Sequence, residues 1–501
     1  MYLNLITTIA VFGLQTAINF FLAPYILKVL GDEAYGFLAL ANSLINYGFI
    51  LTMVINSVAG RFIASAYHRG NWLKASKFYS SVLIINFLFS IIMALISLIF
   101  LIKIQSIINI SQTLISDVRL TIAIYFINFS VGLFNGVLGI HAFIKNQMYL
   151  ISIRNAISTA IYAMSVLLLF YLFDAMIYYT AVAALISSIF VFFSYLYLNR
   201  KFSLNLGFKY RYFKINFIKF LAKSGLFNSI NTLSYVLLSE VGLFLVNIYI
   251  SAASMGIWAV SRSASVILES LVFTTSISWN PQFVKIHADN TPLRDAVVLA
   301  LKSVSFIALP LIASFVALAD EFYRLWLPFK SQDEIDYIYD LVLISILPSI
   351  VFASSRPLMS INLITNQLKR PALVMLFVAI CVFCIEIVGL SFFEFGLREI
   401  MITICVGIVL KVTLFDVANA GANLGIGLGA FYPIYFKNLA IFAFILGVLY
   451  PISKMLEIGS WVEFFIYASG ISILGYLIAF VMVFNSKERR NIINKIRRRR
   501  S

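Results

Sequence analysis

About fourteen apolar runs follow one another along the chain, and each, at roughly 20 residues, is long enough to cross ~30 Å of hydrocarbon as an α-helix. Hydrophobic residues make up 62% of the 501 residues, charged residues 12%, and the mean hydropathy is +0.97. These values exclude a soluble globular domain. We therefore expect an all-α polytopic membrane protein with about 14 transmembrane helices. The predicted spans are residues 3–29, 35–59, 78–102, 120–144, 150–173, 175–198, 220–250, 254–281, 297–319, 337–358, 371–393, 397–418, 435–452 and 464–484.

A basic segment interrupts the apolar runs after the sixth span. This segment, residues 199–219, is predicted to be a cytoplasmic linker between two six-helix lobes, residues 1–198 and 220–420. Residues 421–484 are expected to add two transmembrane helices, and residues 485–501 form a basic tail.

Lysine and arginine are distributed unevenly between the two sides of the predicted membrane. Of the 37, 28 lie in the tail or in the segments after even-numbered spans together with the adjoining span ends, and six lie in the corresponding places after odd-numbered spans. The remaining three, Lys28, Arg262 and Lys411, are assigned to the helices. Since basic residues collect on the cytoplasmic side, both termini are expected in the cytoplasm. The net charge of +16 is then a topology signal, with membrane lipids as partners of the tail and no nucleic acid implied.

Two charges lie inside the eighth apolar run, where lipid exposure would cost about 3 kcal/mol each. Arg262 and Glu269 are seven residues apart, so they project from one face of a helix. They are expected to face a polar interior. Glu240, in the preceding run, lies at a similar depth if the two helices form a hairpin. Arg262 could then instead form a structural ion pair with Glu240.

A short internal repeat links the second helix of each predicted lobe. The stretch Ala34–Asn42 aligns with Ser254–Arg262, with glycine and alanine coinciding and four further positions similar. Transporters are commonly built from two related bundles with the substrate site between them. Arg262 then takes the place that Asn42 holds in the first lobe.

Three segments near the N-terminus carry a family resemblance: Pro24–Gly31, Tyr35-Gly36 and Arg61–Ala64. They resemble the opening of Wzx-type polysaccharide flippases, which act on O-antigen or other lipid-linked oligosaccharides. These flippases belong to the multidrug/oligosaccharidyl-lipid/polysaccharide (MOP) exporter superfamily. The resemblance implies two six-helix lobes in a V around a cavity. It also matches Lys28 and Arg262 to basic residues of the related lipid II flippases.

The same resemblance implies a transport function in the bacterial cytoplasmic (inner) membrane. The expected substrate is undecaprenyl-pyrophosphate-linked oligosaccharide, translocated outward by alternating access. Polysaccharide polymerase and chain-length machinery are further expected partners. No cofactor, metal or catalytic residue is expected, because His68, His141 and His287 are scattered and have no acidic or cysteine companions at ligand spacing.

Arginine suits such a substrate because its fork of donors matches phosphate oxygens. Arg262 is the main candidate, followed by Lys28, which as a helix-end lysine is also explained by snorkelling. Arg61 is a third candidate, although it is also explained as a topology marker. Polar amides of the first lobe could bond sugar hydroxyls or instead bond neighbouring helices. These are Gln15, Asn19, Asn42 and Asn46.

Carboxyl groups in or near apolar runs could couple transport to an ion, because desolvation makes proton exchange accessible. The candidates are Glu240, Glu269, Glu386 and Asp416. Asp416 also has a simpler interpretation, an interfacial ion pair with Lys411 five residues earlier.

Two other functions are compatible with part of the pattern. An integral-membrane polymerase or glycosyltransferase needs a catalytic group outside the bilayer. The sizeable outer segment, Asp320–Asp340, has six acidic residues but no histidine and no nucleophile with a base nearby. A multidrug exporter of the same superfamily is the closer alternative.

Orientation can be tested by cysteine labelling in a cysteine-free background. A cysteine near Ser331 should react with a membrane-impermeant reagent added outside, and one near Ser203 should react only after permeabilisation. The opposite pattern would reverse the predicted topology.

Overall fold

The computed structural model describes residues 2–202, 206–289, 291–490 and 494. Ser203 and the part of the basic tail from residue 495 onward lie outside the described residues. The described chain is α-helical and contains no strand. This confirms the all-α prediction.

Seventeen α-helices are present in the described chain. The first nine are α1 Tyr2–Leu30, α2 Asp32–His68, α3 Trp72–Ile107, α4 Ile115–Leu138, α5 Ile140–Ile144, α6 Met148–Leu172, α7 Ile177–Phe202, α8 Ile215–Tyr249 and α9 Ala252–Ile277. The remaining eight are α10 Asn280–Ala288, α11 Arg294–Trp326, α12 Gln332–Ile364, α13 Lys369–Phe392, α14 Leu397–Leu410, α15 Val417–Asn423, α16 Tyr432–Ser453 and α17 Trp461–Val483. A π-helical turn, Lys411–Asp416, joins α14 to α15.

Thirteen helical stretches of the described chain are long and apolar enough to span a membrane, or up to fourteen with α2 counted as one bent span. Helix α2 changes direction by 62° between Phe49 and Thr52. The predicted number of spans is confirmed, and the protein is a multi-pass membrane protein. In hydrocarbon, a helix satisfies its own backbone donors and acceptors, which is why apolar runs of this length fold as helices.

Several helices extend beyond the apolar run that predicts them. Helix α11 was expected to end at residue 319 but continues to Trp326, where Arg324 pairs with Asp320 one turn earlier at 3.0 Å. Helix α12 begins with a capping box, in which the Ser331 side chain accepts from the Glu334 backbone and the Glu334 carboxylate accepts from the Ser331 backbone. These polar helix ends carry no hydropathy signal, so the runs underestimate helix length.

The described chain divides into two compact units, Met1–Ala259 and Val260–Ser501. The division falls within α9, whereas the sequence places a lobe boundary at residues 199–219. Helix α8 belongs to the first unit because it packs against α2 and α3. The six-and-six division into lobes stays a prediction.

Close helix approaches in the first unit occur at glycines. A Cβ added at Gly256 would overlap the carbonyl oxygen of Asp32. A Cβ added at Gly36 would lie 2.6 Å from the Cβ of Met255. Gly36 and Gly256 are the equivalent glycines of the internal repeat, so the two copies pack against each other where α2 and α9 begin.

Helices α11 and α12 form the centre of the second unit. Helix α11 packs against α12, α16 and α17, and α12 also packs against α14. Buried polar side chains connect three of these helices: Asn438 donates to Ser305 at 2.7 Å, and Ser305 donates to the carbonyl of Ala353 at 3.0 Å. In hydrocarbon such bonds hold helices together, because no water is present to hydrogen-bond the polar groups instead.

Gly256→Ala should destabilise the protein, because the new methyl group would force α2 and α9 apart. Overpacking of this kind costs about 1–3 kcal/mol. The matched control is Gly470→Ala on α17, where an added Cβ would meet no atom within 4 Å. We expect a lower unfolding midpoint for the first variant only, measured by thermal unfolding in detergent. Equal midpoints for the two variants would contradict the close approach.

Candidate functional site

One face of α9 carries the two charges that the sequence analysis singles out. Arg262 and Glu269 are half-buried, and they line up with Val266, Phe273 and Ile277, which are exposed. Spacings of three and four residues place all five on one side of the helix. We call this set the α9 stripe. The side of α9 next to the stripe is buried and consists of small or apolar residues: Ser261, Ala264, Ser265, Val272 and Ser276.

Contacts of α9 with α12 and α14 show which helices lie beside the two charges. The Ser345 hydroxyl of α12 donates to the carbonyl of Ser261 at 3.1 Å. Cys405 of α14 is buried, and its thiol donates to the carbonyl of Ile344 at 3.2 Å. Both Arg262 and Glu269 act electrostatically on this thiol. The two charges therefore lie beside α12 and α14, within the second unit.

A second arginine contacts the α9 stripe, and the sequence analysis missed it. Arg356 lies within α12, eight residues before the helix ends at Ile364. Its guanidinium carbon is 5.3 Å from the ring centre of Phe273 and 4.8 Å from that of Phe352. Arg356 is two residues before the end of the predicted span at residue 358, so it was counted among the basic residues at the cytoplasmic ends of the spans. One local signal could have identified Arg356. Phe352 precedes it by four residues, a spacing that places an aromatic ring next to the cation on a helix.

Lys411 and Asp416 form a buried ion pair. Their Nζ and Oδ2 atoms are 2.6 Å apart, and the side chains are only 8% and 2% exposed. The pair was expected at the membrane interface, but the structure places it inside the protein. In an α-helix residues five apart point about 140° away from each other. The π-helical turn removes this difference, because its wider turn brings the two side chains together.

Glu386 is also buried, with 2% of its surface exposed. Its Oε1 atom has no hydrogen-bond partner among the described residues. Burying an ionised carboxylate without partners is strongly unfavourable. Glu386 is therefore expected to be protonated.

Glu240 has a partner inside the first unit. The Ser43 hydroxyl of α2 donates to its Oε2 atom. Tyr47, one turn further along α2, lies close enough to interact with the same carboxylate. The Glu240–Arg262 pair stays a prediction.

The other candidates of the first unit do not gather at one point. Lys28 is exposed in the last turn of α1, whereas Arg61 is exposed near the far end of α2 and stacks on Phe62 at 5.2 Å. Because α1 and α2 are joined at Gly31, these two cations lie near opposite ends of the helix pair. The structure therefore does not bring Lys28 and Arg61 into one site.

Two of the four amides bond within the first unit. Gln15 donates to the Thr159 hydroxyl of α6 at 3.0 Å, which is the helix-to-helix alternative. Asn42 donates to the Leu38 carbonyl at 3.0 Å and lies near the Tyr125 hydroxyl. Asn19 and Asn46 are exposed. Among the described residues, no group of three or more His, Cys, Asp or Glu side chains is arranged to hold a metal.

Comparison with solved structures defines the class of protein to which this fold belongs. A multidrug resistance transporter of the MOP superfamily, solved in an inward-facing conformation, has a TM-score of 0.64 and 14% identity, covering 84% of this chain and 98% of its own. The chain has the fold of MOP-superfamily transporters.

A second structure with this fold covers more of the chain. The lipid II flippase MurJ, in an inward closed conformation, gives a TM-score of 0.69 and 15% identity, covering 96% of this chain and 98% of that one. The neighbours are thus transporters and flippases rather than enzymes.

Among curated proteins, the chain is 26% identical over 500 residues to an uncharacterized membrane protein, EpsK, from Bacillus subtilis (strain 168). The alignment spans 99% of this chain and 98% of that protein. No protein-family model matches the sequence.

Proposed function

We propose that the protein flips an undecaprenyl-pyrophosphate-linked oligosaccharide outward across the bacterial cytoplasmic membrane, with both termini in the cytoplasm. The observation that carries this proposal is the α9 stripe, an accessible helix face that places Arg262 inside a membrane-spanning segment. A guanidinium in that position can bind the oxygens of an anion away from bulk water. A diphosphate that must cross the membrane supplies such oxygens.

The extent of the structural likeness also favours a flippase. The lipid II flippase accounts for 96% of the chain, whereas the multidrug transporter accounts for 84%. The described chain has up to fourteen spans, two more than two six-helix lobes contain. The extra helices α16 and α17 pack against α11 and so belong to the second unit, which also holds Arg262.

The chemistry of Arg262 suits the diphosphate and not the sugars. A guanidinium presents several N–H donors in one plane and binds two phosphate oxygens at once. Away from bulk water this attraction is stronger than at a protein surface. Asn42 and Asn46, two exposed amides of the first unit, stay candidates for bonding sugar hydroxyls. The product would leave on the outer face, where a polymerase and its chain-length machinery assemble surface polysaccharide.

A multidrug exporter is the second candidate, because transporters of that kind share the fold. Cationic drugs need carboxylates, and Glu240 or Glu269 would then bind substrate. The two candidates differ in the sign of the charge that they bind. Transport in proteoliposomes of a lipid-linked oligosaccharide, but not of a cationic dye, would support the flippase.

Arg262→Ala should give a protein that folds and inserts normally but fails to bind or flip the lipid-linked oligosaccharide. Arg262→Lys should keep part of the activity, because lysine retains the charge and loses the fork. The control is Arg324→Ala, which removes an arginine that pairs with Asp320 and is 44% exposed. Flipping is measured in proteoliposomes at matched protein abundance. The proposal would be falsified if Arg262→Ala flipped substrate at the wild-type rate.

We propose that carboxylates couple transport of the substrate to protons. Glu240→Gln can still accept the Ser43 hydrogen bond, so we expect normal folding but flipping that no longer responds to a pH gradient. Glu269→Gln tests the stripe carboxylate in the same way, and Glu457→Gln, in the exposed loop between α16 and α17, is the control. Gradient dependence that persists in both variants would leave Glu240 and Glu269 with a structural role and Glu386 as the next candidate. Asp416 is less suited, because Lys411 already holds it.

A further inference from the structure

Arg356 is a membrane-embedded cation whose partners are aromatic. Phe352 precedes it by one turn on α12, and Phe273 projects to it from α9. Cation–π contacts stabilise the charge but leave the N–H donors in the guanidinium plane unused. The rings therefore fix the position of Arg356 without occupying its hydrogen-bonding edge.

No carboxylate in the described chain forms a salt bridge with Arg356. The carboxylate with which it interacts electrostatically is Asp416, and that group is already bonded to Lys411 at 2.6 Å. Lys411 and Asp416 together are neutral, so they leave Arg356 without an ion-pair partner of its own among the described residues. A half-buried cation in a membrane-spanning helix favours an anionic ligand.

Arg356 and Arg262 share one face of α9. Phe273, which holds Arg356, is the stripe residue eleven positions after Arg262, or ~16 Å along the helix at ~1.5 Å per residue. Glu269 lies between them on the same face. Two cations at this separation, with a carboxylate between, form two discrete positions for an anion rather than one.

We propose that Arg356 is a second binding position for the diphosphate of the lipid-linked substrate, nearer than Arg262 to the end of α9 at Ile277. This inference rests on the proposed function. In the orientation assigned above, Ile277 is at the cytoplasmic end, so Arg356 takes the diphosphate first and Arg262 takes it next. The two phenylalanines act as positioning residues, since they hold the guanidinium plane and do not touch the ligand.

The test measures binding of undecaprenyl diphosphate to the full-length protein in lipid nanodiscs. Arg356→Ala should weaken binding roughly tenfold or more, the loss expected when a charged hydrogen-bond partner is removed. Arg356→Lys should retain part of the affinity. Phe273→Leu should weaken binding less than Arg356→Ala, because the cation remains but is no longer held. Arg324→Ala is the control and should bind like the wild type.

Competitors identify the chemistry of the ligand. Inorganic pyrophosphate should displace the probe from the wild type more strongly than from Arg356→Ala. Anionic phospholipid at ordinary membrane content should displace it from neither. Displacement by anionic phospholipid would make Arg356 a lipid headgroup site and overturn the proposal.

The outcome separates this inference from the proposed function. If the wild-type protein neither binds nor flips the lipid-linked substrate, the proposed function fails. If the wild type does both, and Arg356→Ala and Phe273→Leu match it in affinity and flipping rate, only the Arg356 inference fails. Should Arg356→Ala unfold, Arg356→Lys and Phe273→Leu decide the question, since both keep the site filled.

Discussion

The absence of water from the hydrocarbon core governs this structure. Backbone groups in that region can be satisfied only within helices, and every charge there needs a partner from the protein or from a ligand. In the second unit, ionisable side chains are accommodated in three ways. Lys411 and Asp416 neutralise each other, Glu386 is buried as an expected neutral acid, and Arg356 rests on aromatic rings. Each of these polar groups is therefore stabilised by a different kind of interaction.

Sequence reasoning predicted the helices well because each apolar run contains its own evidence. Every predicted span overlaps a helix of the described chain. Errors occur at the ends, where polar turns such as those after residue 319 continue the helix, and at interruptions such as the one between α4 and α5. The shared face of Arg262 and Glu269 was also predictable, since a seven-residue spacing returns to one side of any α-helix. Both predictions depend on local periodicity alone.

The role of Arg356 and the burial of the Lys411–Asp416 pair could not be predicted in the same way. A hydropathy run that fades near residue 358 makes Arg356 resemble a membrane-flanking residue, and one of its two rings comes from a different helix, 83 positions away in the chain. The Lys411–Asp416 pair itself was predicted, but its five-residue spacing is unfavourable in an α-helix, and the π-helical turn that brings the two side chains together has no signal in the sequence. The grouping of Lys28 with Arg61 was likewise a matter of tertiary placement, which the separation of the two helix ends settles against a common site.

The π-helical turn also makes the number of residues in this segment matter, apart from their identity. Asn419 and Asn423 of α15 both donate to the Asn362 side chain, at 2.9 and 2.7 Å. Their direction depends on the wide turn that precedes them, because one residue fewer would rotate α15 by about 100° relative to α14. Both amides would then leave Asn362, and a buried acceptor would lose its donors. The segment between Lys411 and Asn423 thus has a fixed length, so it should accept substitution more readily than insertion or deletion.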